Sequence, residues 1–142
     1  MAVQIEQIRY ELTWRIRRDA MYPDAAYEVV QLKDDPNGLH FGLYAEDQLT
    51  AVVSLFDEDG IYQFRKFATI PKAQGKGYGT LLLNHIIDYT RQRTAKKIWC
   101  NARLSAIEFY TRFGFTAKGE SFTKNDIDFV MMELQLDNKL EG

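Results

Sequence analysis

Between Val3 and Arg9 apolar and polar residues alternate, placing Val3 and Ile5 with Gln7 on one face of a short strand. From Tyr10 to Met21 the period lengthens, and Leu12, Ile16 and Ala20 recur at helical spacing. Residues 23–38 fit two descriptions, because Tyr27, Val29 and Val30 suit a short helix or an extended piece before the turn-forming run Asp34-Asp35-Pro36-Asn37-Gly38. Leu39–Ala45 and Leu49–Phe56 are rich in β-formers, and Glu46-Asp47-Gln48 between them predicts a hairpin. A second turn, Asp57-Glu58-Asp59-Gly60, leads into a third strand, Ile61–Ile70, which Pro71 ends. From Lys76 to about Arg93, Tyr78, Leu82, Leu83, Ile86 and Tyr89 form one broad apolar side with Asn84, Asp88 and Arg91 opposite, the pattern of an amphipathic helix.

The last third predicts a short strand at Lys97–Cys100. A helix follows, for which Ser105-Ala106-Ile107-Glu108 has the spacing of a capping box. Gly114, after Arg112-Phe113, suits the left-handed residue that ends such a helix. A final hairpin pairs Phe115–Ala117 with Ile127–Leu136, and a polar tail begins at Asp137. The predicted order is β-α-β-β-β-α-β-α-β-β, an α+β arrangement. The three prolines fall between patterned segments and no repeat appears, so residues 1–142 are read as a single domain.

Composition narrows the function. Of the 142 residues 46% are hydrophobic and 27% charged, enough to bury a core, and eighteen Lys and Arg against twenty Asp and Glu give a net charge of −2. That balance lacks the basic excess of a nucleic-acid binder, so no nucleic-acid partner is expected. No stretch is long and apolar enough for a membrane span and the start has no apolar targeting core, so a cytoplasmic location without a membrane partner is the default. Cys100 alone excludes an intrachain disulfide, and with only His40 and His85 no zinc-binding cluster forms, so no metal is expected. His85 and Cys100 read as structural residues, and Asp57-Glu58-Asp59 as a solvated turn.

Gln74-Gly75-Lys76-Gly77-Tyr78-Gly79-Thr80 lies between a strand and the start of the long helix. A glycine-rich turn there leaves backbone N–H groups at the positive end of a helix dipole, which suits a phosphate, and Gln74, Lys76 and Thr80 add donors at its rim. A Walker loop would need glycine at the position of Ile70, and the alternating glycines 75, 77 and 79 miss the dinucleotide fingerprint by one residue.

This turn and the element order resemble the GNAT superfamily of acetyl-CoA-dependent N-acyltransferases, whose signature (Q/R)-x-x-G-x-(G/A) is met by Gln74 through Gly79 after the strand and proline of Phe67-Ala68-Thr69-Ile70-Pro71. A second family pattern follows: Ala106, then Phe109-Tyr110, then Gly114-Phe115. The resemblance implies a mixed, mostly antiparallel sheet of about seven strands flanked by helices. It implies that residues 74–80 hold the pyrophosphate of coenzyme A and that the main chain around Phe67, Ala68 and Thr69 pairs with the pantetheine arm. A backbone N–H beside Phe67 would face the thioester oxygen, and Tyr110 would stand near the sulfur as the acid for the leaving thiolate.

Ala106 and Phe109 fall within the implied cofactor site. The family's usual Asn has two counterparts here, Asn101 and Arg103, either of which would meet the cofactor. Residues 124–129 resemble a small ElaA-like branch, with Asp126, Asp128 and Phe129 replacing its Gly, Pro and His. The family's strand carboxylate is absent from Gln63-Phe64-Arg65-Lys66. No general base is therefore named; Asp128 is a candidate near the acceptor, and Arg65 either binds an acidic acceptor or is a strand-surface cation.

The implied activity is acetyl transfer from acetyl-CoA to a primary amine, borne by a small molecule or a peptide, by direct attack in a ternary complex. The alternative is a non-catalytic acyl-CoA-binding module or sensor. A monomer and a homodimer both fit.

Overall fold

The computed structural model describes residues 2–136. In chain order the elements are β1 (Val3–Ile8), α1 (Thr13–Met21), α2 (Tyr27–Val30), β2 (Leu39–Ala45), β3 (Gln48–Glu58), β4 (Ile61–Thr69), α3 (Tyr78–Gln92), β5 (Lys97–Arg103), α4 (Ile107–Thr111), β6 (Thr116–Lys124) and β7 (Ile127–Gln135). The strands form one seven-stranded sheet of order β1-β2-β3-β4-β5-β7-β6. Pairing is antiparallel for β1 with β2, β2 with β3, β5 with β7 and β6 with β7, and parallel for β4 with β5. None of the described helices is long and apolar enough to cross a membrane.

Two compact units divide the chain: residues 2–56 with 64–89, and residues 57–63 with 90–136. In the first, Ile16 of α1, Val52 of β3 and Ala68 of β4 form a buried cluster flanked by Ile8, Ala20, Met21, Leu49 and Ile70. On α1 the buried positions are Thr13, Ile16 and Arg17, whereas Leu12 is 38% exposed. Of the predicted stripe Leu12, Ile16 and Ala20, Ile16 lies in the core and Ala20 packs against it, while Leu12 precedes the helix and is exposed; Arg17, which the pattern leaves polar, is buried as well. Residues 27–30 form a helix of four residues.

In the second unit Ile98, Cys100 and Ala102 of β5, Tyr110 of α4, and Val130 and Met132 of β7 are all buried. The register of β4 on β5 sets Ile61 opposite Lys97, Tyr62 opposite Ile98 and Gln63 opposite Trp99. β5 extends to Arg103, beyond the predicted Cys100, with Asn101, Ala102 and Arg103 opposite Met131, Val130 and Phe129 of β7.

Three other boundaries differ from the sequence prediction. α3 begins at Tyr78 rather than Lys76, because Gly75 and Gly77 take left-handed conformations. Ser105 lies inside the 3-10 turn Leu104–Ala106 and gives no cap; Ala106 precedes α4 without a side-chain hydrogen bond. β6 runs from Thr116 to Lys124 with every residue exposed, so no apolar alternation marked its length. The end of α4 is as predicted: Gly114 has φ +99°, its N–H bonds Thr111 O at 2.9 Å, and Phe115 N–H bonds Tyr110 O at 3.2 Å, a Schellman closure. The predicted polar tail from Asp137 lies outside the described residues.

Candidate active site

At the end of β4 the chain makes a tight turn, with Ala73 N–H bonded to Ile70 O at 3.0 Å and Gln74 N–H to Pro71 O at 3.2 Å. The Gln74 side-chain amide donates back to Thr69 O at 3.0 Å, so it braces the turn against the strand end. Gly75 and Gly77 follow with φ of +81° and +87°. A Cβ at either position would meet nothing within 4 Å, so protein packing does not require glycine there. The backbone conformation does, and the open space leaves room for a ligand to approach the main chain.

The Leu81 N–H bonds Gly77 O at 3.2 Å, the entry to the helical ladder, so the N–H groups of Tyr78, Gly79 and Thr80 precede any intrahelical acceptor. Gln74, Gly75, Lys76, Gly77 and Thr80 are exposed, and Tyr78 and Gly79 half-buried. Exposed glycine amides in the left-handed conformation at a helix start are donors of the kind that can face an anion.

On β4 itself Ala68 is buried, and Phe67 and Thr69 are half-buried. Immediately before Phe67 the backbone of Lys66 is left-handed, with φ +53°, inside the strand. Sequence periodicity gives no sign of this irregularity. Arg65 places its guanidinium 5.9 Å from the centroid of the Phe56 ring. His85, half-buried, packs edge-on against Phe41 with ring centroids 5.5 Å apart.

A buried polar network in the same unit has no signature in the sequence pattern. Arg17 and Asp35, 0% and 1% exposed, form a bidentate pair through two 2.9 Å hydrogen bonds. Arg17 also donates to Val30 O at 2.8 Å and Ser54 Oγ at 2.9 Å, while its Nε has no partner. Asp35 further accepts from Leu32 N–H at 3.0 Å and Trp14 Nε1–H at 3.2 Å. His40 Nε2 lies 2.9 Å from Asp35 O, an acceptor only, so Nε2 carries the proton and Nδ1 accepts from Ser54 Oγ at 2.7 Å. Burial opposes the charged form of Asp35, but the Arg17 pair and the Leu32 N–H outweigh it and hold its pKa below the ordinary value. Burial lowers the His40 pKa, consistent with a neutral ring. The network fixes the end of the ambiguous segment 23–38 to α1, β2 and β3.

In the second unit, Tyr110 on α4 is 8% exposed, with ring centroids 5.2 Å from Phe109 and 5.8 Å from Phe115. Burial pushes its pKa up; the nearby Cys100 adds to the rise and Arg103 opposes it. Tyr110 therefore keeps its proton across the neutral range. Burial also pushes the Cys100 thiol up to about 12, leaving it without thiolate character. Asn101 and Arg103 are both exposed at the end of β5, and Ala106 and Phe109 are half-buried. Asp128, exposed on β7, accepts a hydrogen bond from Thr123 across the β6–β7 hairpin.

The predicted site residues thus fall into two sets, Arg65–Thr80 in one unit and Asn101–Tyr110 with Asp128 in the other. Residues 7–136 match the family model described as the acetyltransferase (GNAT) domain. The chain is 25% identical over 129 residues to the uncharacterized N-acetyltransferase YitI of Bacillus subtilis, covering 84% of this chain and 87% of that one. Its fold resembles Escherichia coli ElaA, with a TM-score of 0.78 at 14% identity over 92% of this chain and 99% of that one. It also resembles a GNAT family acetyltransferase from Elizabethkingia anophelis solved with acetyl-CoA bound, with a TM-score of 0.74 at 16% identity over 94% and 98% of the two chains. With its glycine turn, its strand order and this match along nearly all of its length, the chain belongs to the GNAT acetyltransferase family.

Proposed function

We propose that the protein transfers an acetyl group from acetyl-CoA to a primary amine by direct attack in a ternary complex. The observation that carries this reading is the pair of left-handed glycines, Gly75 and Gly77, opening onto free space at the start of α3. Their amides, with those of Tyr78, Gly79 and Thr80, are suited to a pyrophosphate, and Gln74 holds the turn in place. Lys76, exposed on this turn, adds a charge that complements the phosphates. The related fold solved with acetyl-CoA bound supports the same co-substrate.

In this reading the main chain of Phe67, Ala68 and Thr69 binds the pantetheine arm as an added strand. Asn101 or Arg103, Ala106 and Phe109 are the further cofactor contacts that the family resemblance implies. The amine nitrogen bonds to the thioester carbonyl carbon, the C–S bond breaks, and the proton lost by nitrogen balances the one gained by sulfur. Tyr110 donates a hydrogen bond to the sulfur as charge develops. Burial favours its neutral form, so the hydroxyl keeps the proton it donates in that hydrogen bond.

Calorimetric titration with acetyl-CoA, followed by an assay of coenzyme A release with an amine panel, tests the proposal. A one-to-one complex that is lost in a folded Gly77→Asp variant is the expected result. An unmodified protein that fails to bind acetyl-CoA refutes it.

A further inference from the structure

Lys66 stands directly before Phe67, in the segment read above as the thioester site, and its side chain has no part in that reading. Its left-handed backbone, φ +53° within β4, is uncommon for a residue with a side chain and breaks the strand beside Phe67, where the reacting carbonyl is read to lie. Lys66 is half-buried, and its ammonium donates to the Tyr22 hydroxyl at 2.7 Å and lies 4.9 Å from that ring's centroid. An ammonium has three donors and a phenol oxygen satisfies one of them.

Among the described residues no carboxylate forms an ion pair with Lys66, and none with Arg65 before it. The arginines of α1 are different: Arg15 and Arg18 share Asp19, and Arg17 is matched by Asp35. Two consecutive uncompensated cations therefore precede Phe67 on β4. Two adjacent cations without a carboxylate ion pair make the local potential positive, which attracts an anion.

We propose that Lys66, together with the Tyr22 hydroxyl, binds an anionic group, a carboxylate or a phosphate, on the acceptor. The acceptor is then a small molecule with a primary amine at one end and an anion at the other. This assignment rests on the acetyltransferase reading above and specifies its substrate class. Arg65 adds to the positive potential of the strand.

The test compares matched amines with the acetyl-CoA-bound protein: 4-aminobutanoate against 4-aminobutanamide, and phosphoethanolamine against ethanolamine. Coenzyme A release gives kcat and KM, and calorimetry on the coenzyme A complex gives affinity. At least one anionic probe should exceed its neutral partner tenfold in kcat/KM or affinity, and which pair does so separates carboxylate from phosphate. Lys66→Met should remove that preference through KM with acetyl-CoA affinity unchanged, and Lys66→Arg should keep most of it. Should Lys66→Met fail to fold, Tyr22→Phe should lower affinity for the anionic probe by about threefold or more. Equal use of anionic and neutral probes, no binding of any probe by a protein that still binds acetyl-CoA, or a preference unaffected by these variants would overturn the proposal. Failure to bind acetyl-CoA would instead overturn the acetyltransferase reading beneath it.

Discussion

Replacing Asp35 by alanine should be among the most damaging single changes in the first unit. The carboxylate is 1% exposed and accepts four hydrogen bonds: two from Arg17 at 2.9 Å, one from Leu32 N–H at 3.0 Å and one from Trp14 at 3.2 Å. Its loss strands a fully buried guanidinium whose Nε already lacks a partner, leaving only Val30 O and Ser54 Oγ to receive it. Breaking a buried pair from one side costs about 3–5 kcal/mol, which for a chain of this length lowers Tm by roughly 10–15 °C. Urea unfolding followed by tryptophan fluorescence measures it, and a double variant Arg17→Met with Asp35→Leu should recover most of the loss.

The pH dependence has a defined sign. The Asp35 pKa lies below its ordinary 3.8, so its stabilisation is complete above that value and is lost as pH falls through the folded one. His40 is also lowered from 6.5, and it likewise favours the folded state less as pH drops below that value. The Asp35→Ala variant should therefore lose less additional stability than the unmodified protein between pH 5 and pH 3. A cost below about 1 kcal/mol for Asp35→Ala would refute the reading of this network as a desolvated pair whose members depend on each other.

Two further outcomes follow from the site. Tyr110→Phe should lower kcat by about ten- to a hundredfold with acetyl-CoA affinity nearly intact, measured by turnover and calorimetry side by side; equal turnover would remove the hydroxyl from the mechanism. Cys100, 3% exposed with its thiol pushed up to about 12, should resist a disulfide reagent in the native protein and react once per chain in urea; rapid native labelling would contradict its burial.

Much of the fold was legible because period and punctuation agreed. The hairpin of β2 and β3, the stop at Pro71 and the apolar side of α3 each rest on several residues pointing one way. The glycine turn was legible because a turn on its own rarely requires three alternating glycines at a helix entry. Other features left no local trace. Arg17 sits on α1 where periodicity assigns a polar face, and only Asp35, eighteen positions away, makes its burial tolerable. The strained backbone at Lys66 and its bond to Tyr22 arise from tertiary placement, and a strand pattern reads straight through them. β6 is entirely exposed, so its sequence carried no apolar alternation to mark where the strand ends. The capping-box spacing at Ser105 was present, but a 3-10 turn occupies those residues and α4 starts after them.

The central claim is that the amides entering α3 hold the coenzyme's phosphates. Backbone N–H resonances followed by NMR during titration with acetyl-CoA test it most directly. The account predicts the largest shifts at Gly75, Lys76, Gly77, Tyr78, Gly79 and Thr80, with smaller ones at Phe67, Ala68 and Thr69. Saturable binding that leaves the resonances of residues 75–80 in place would contradict it.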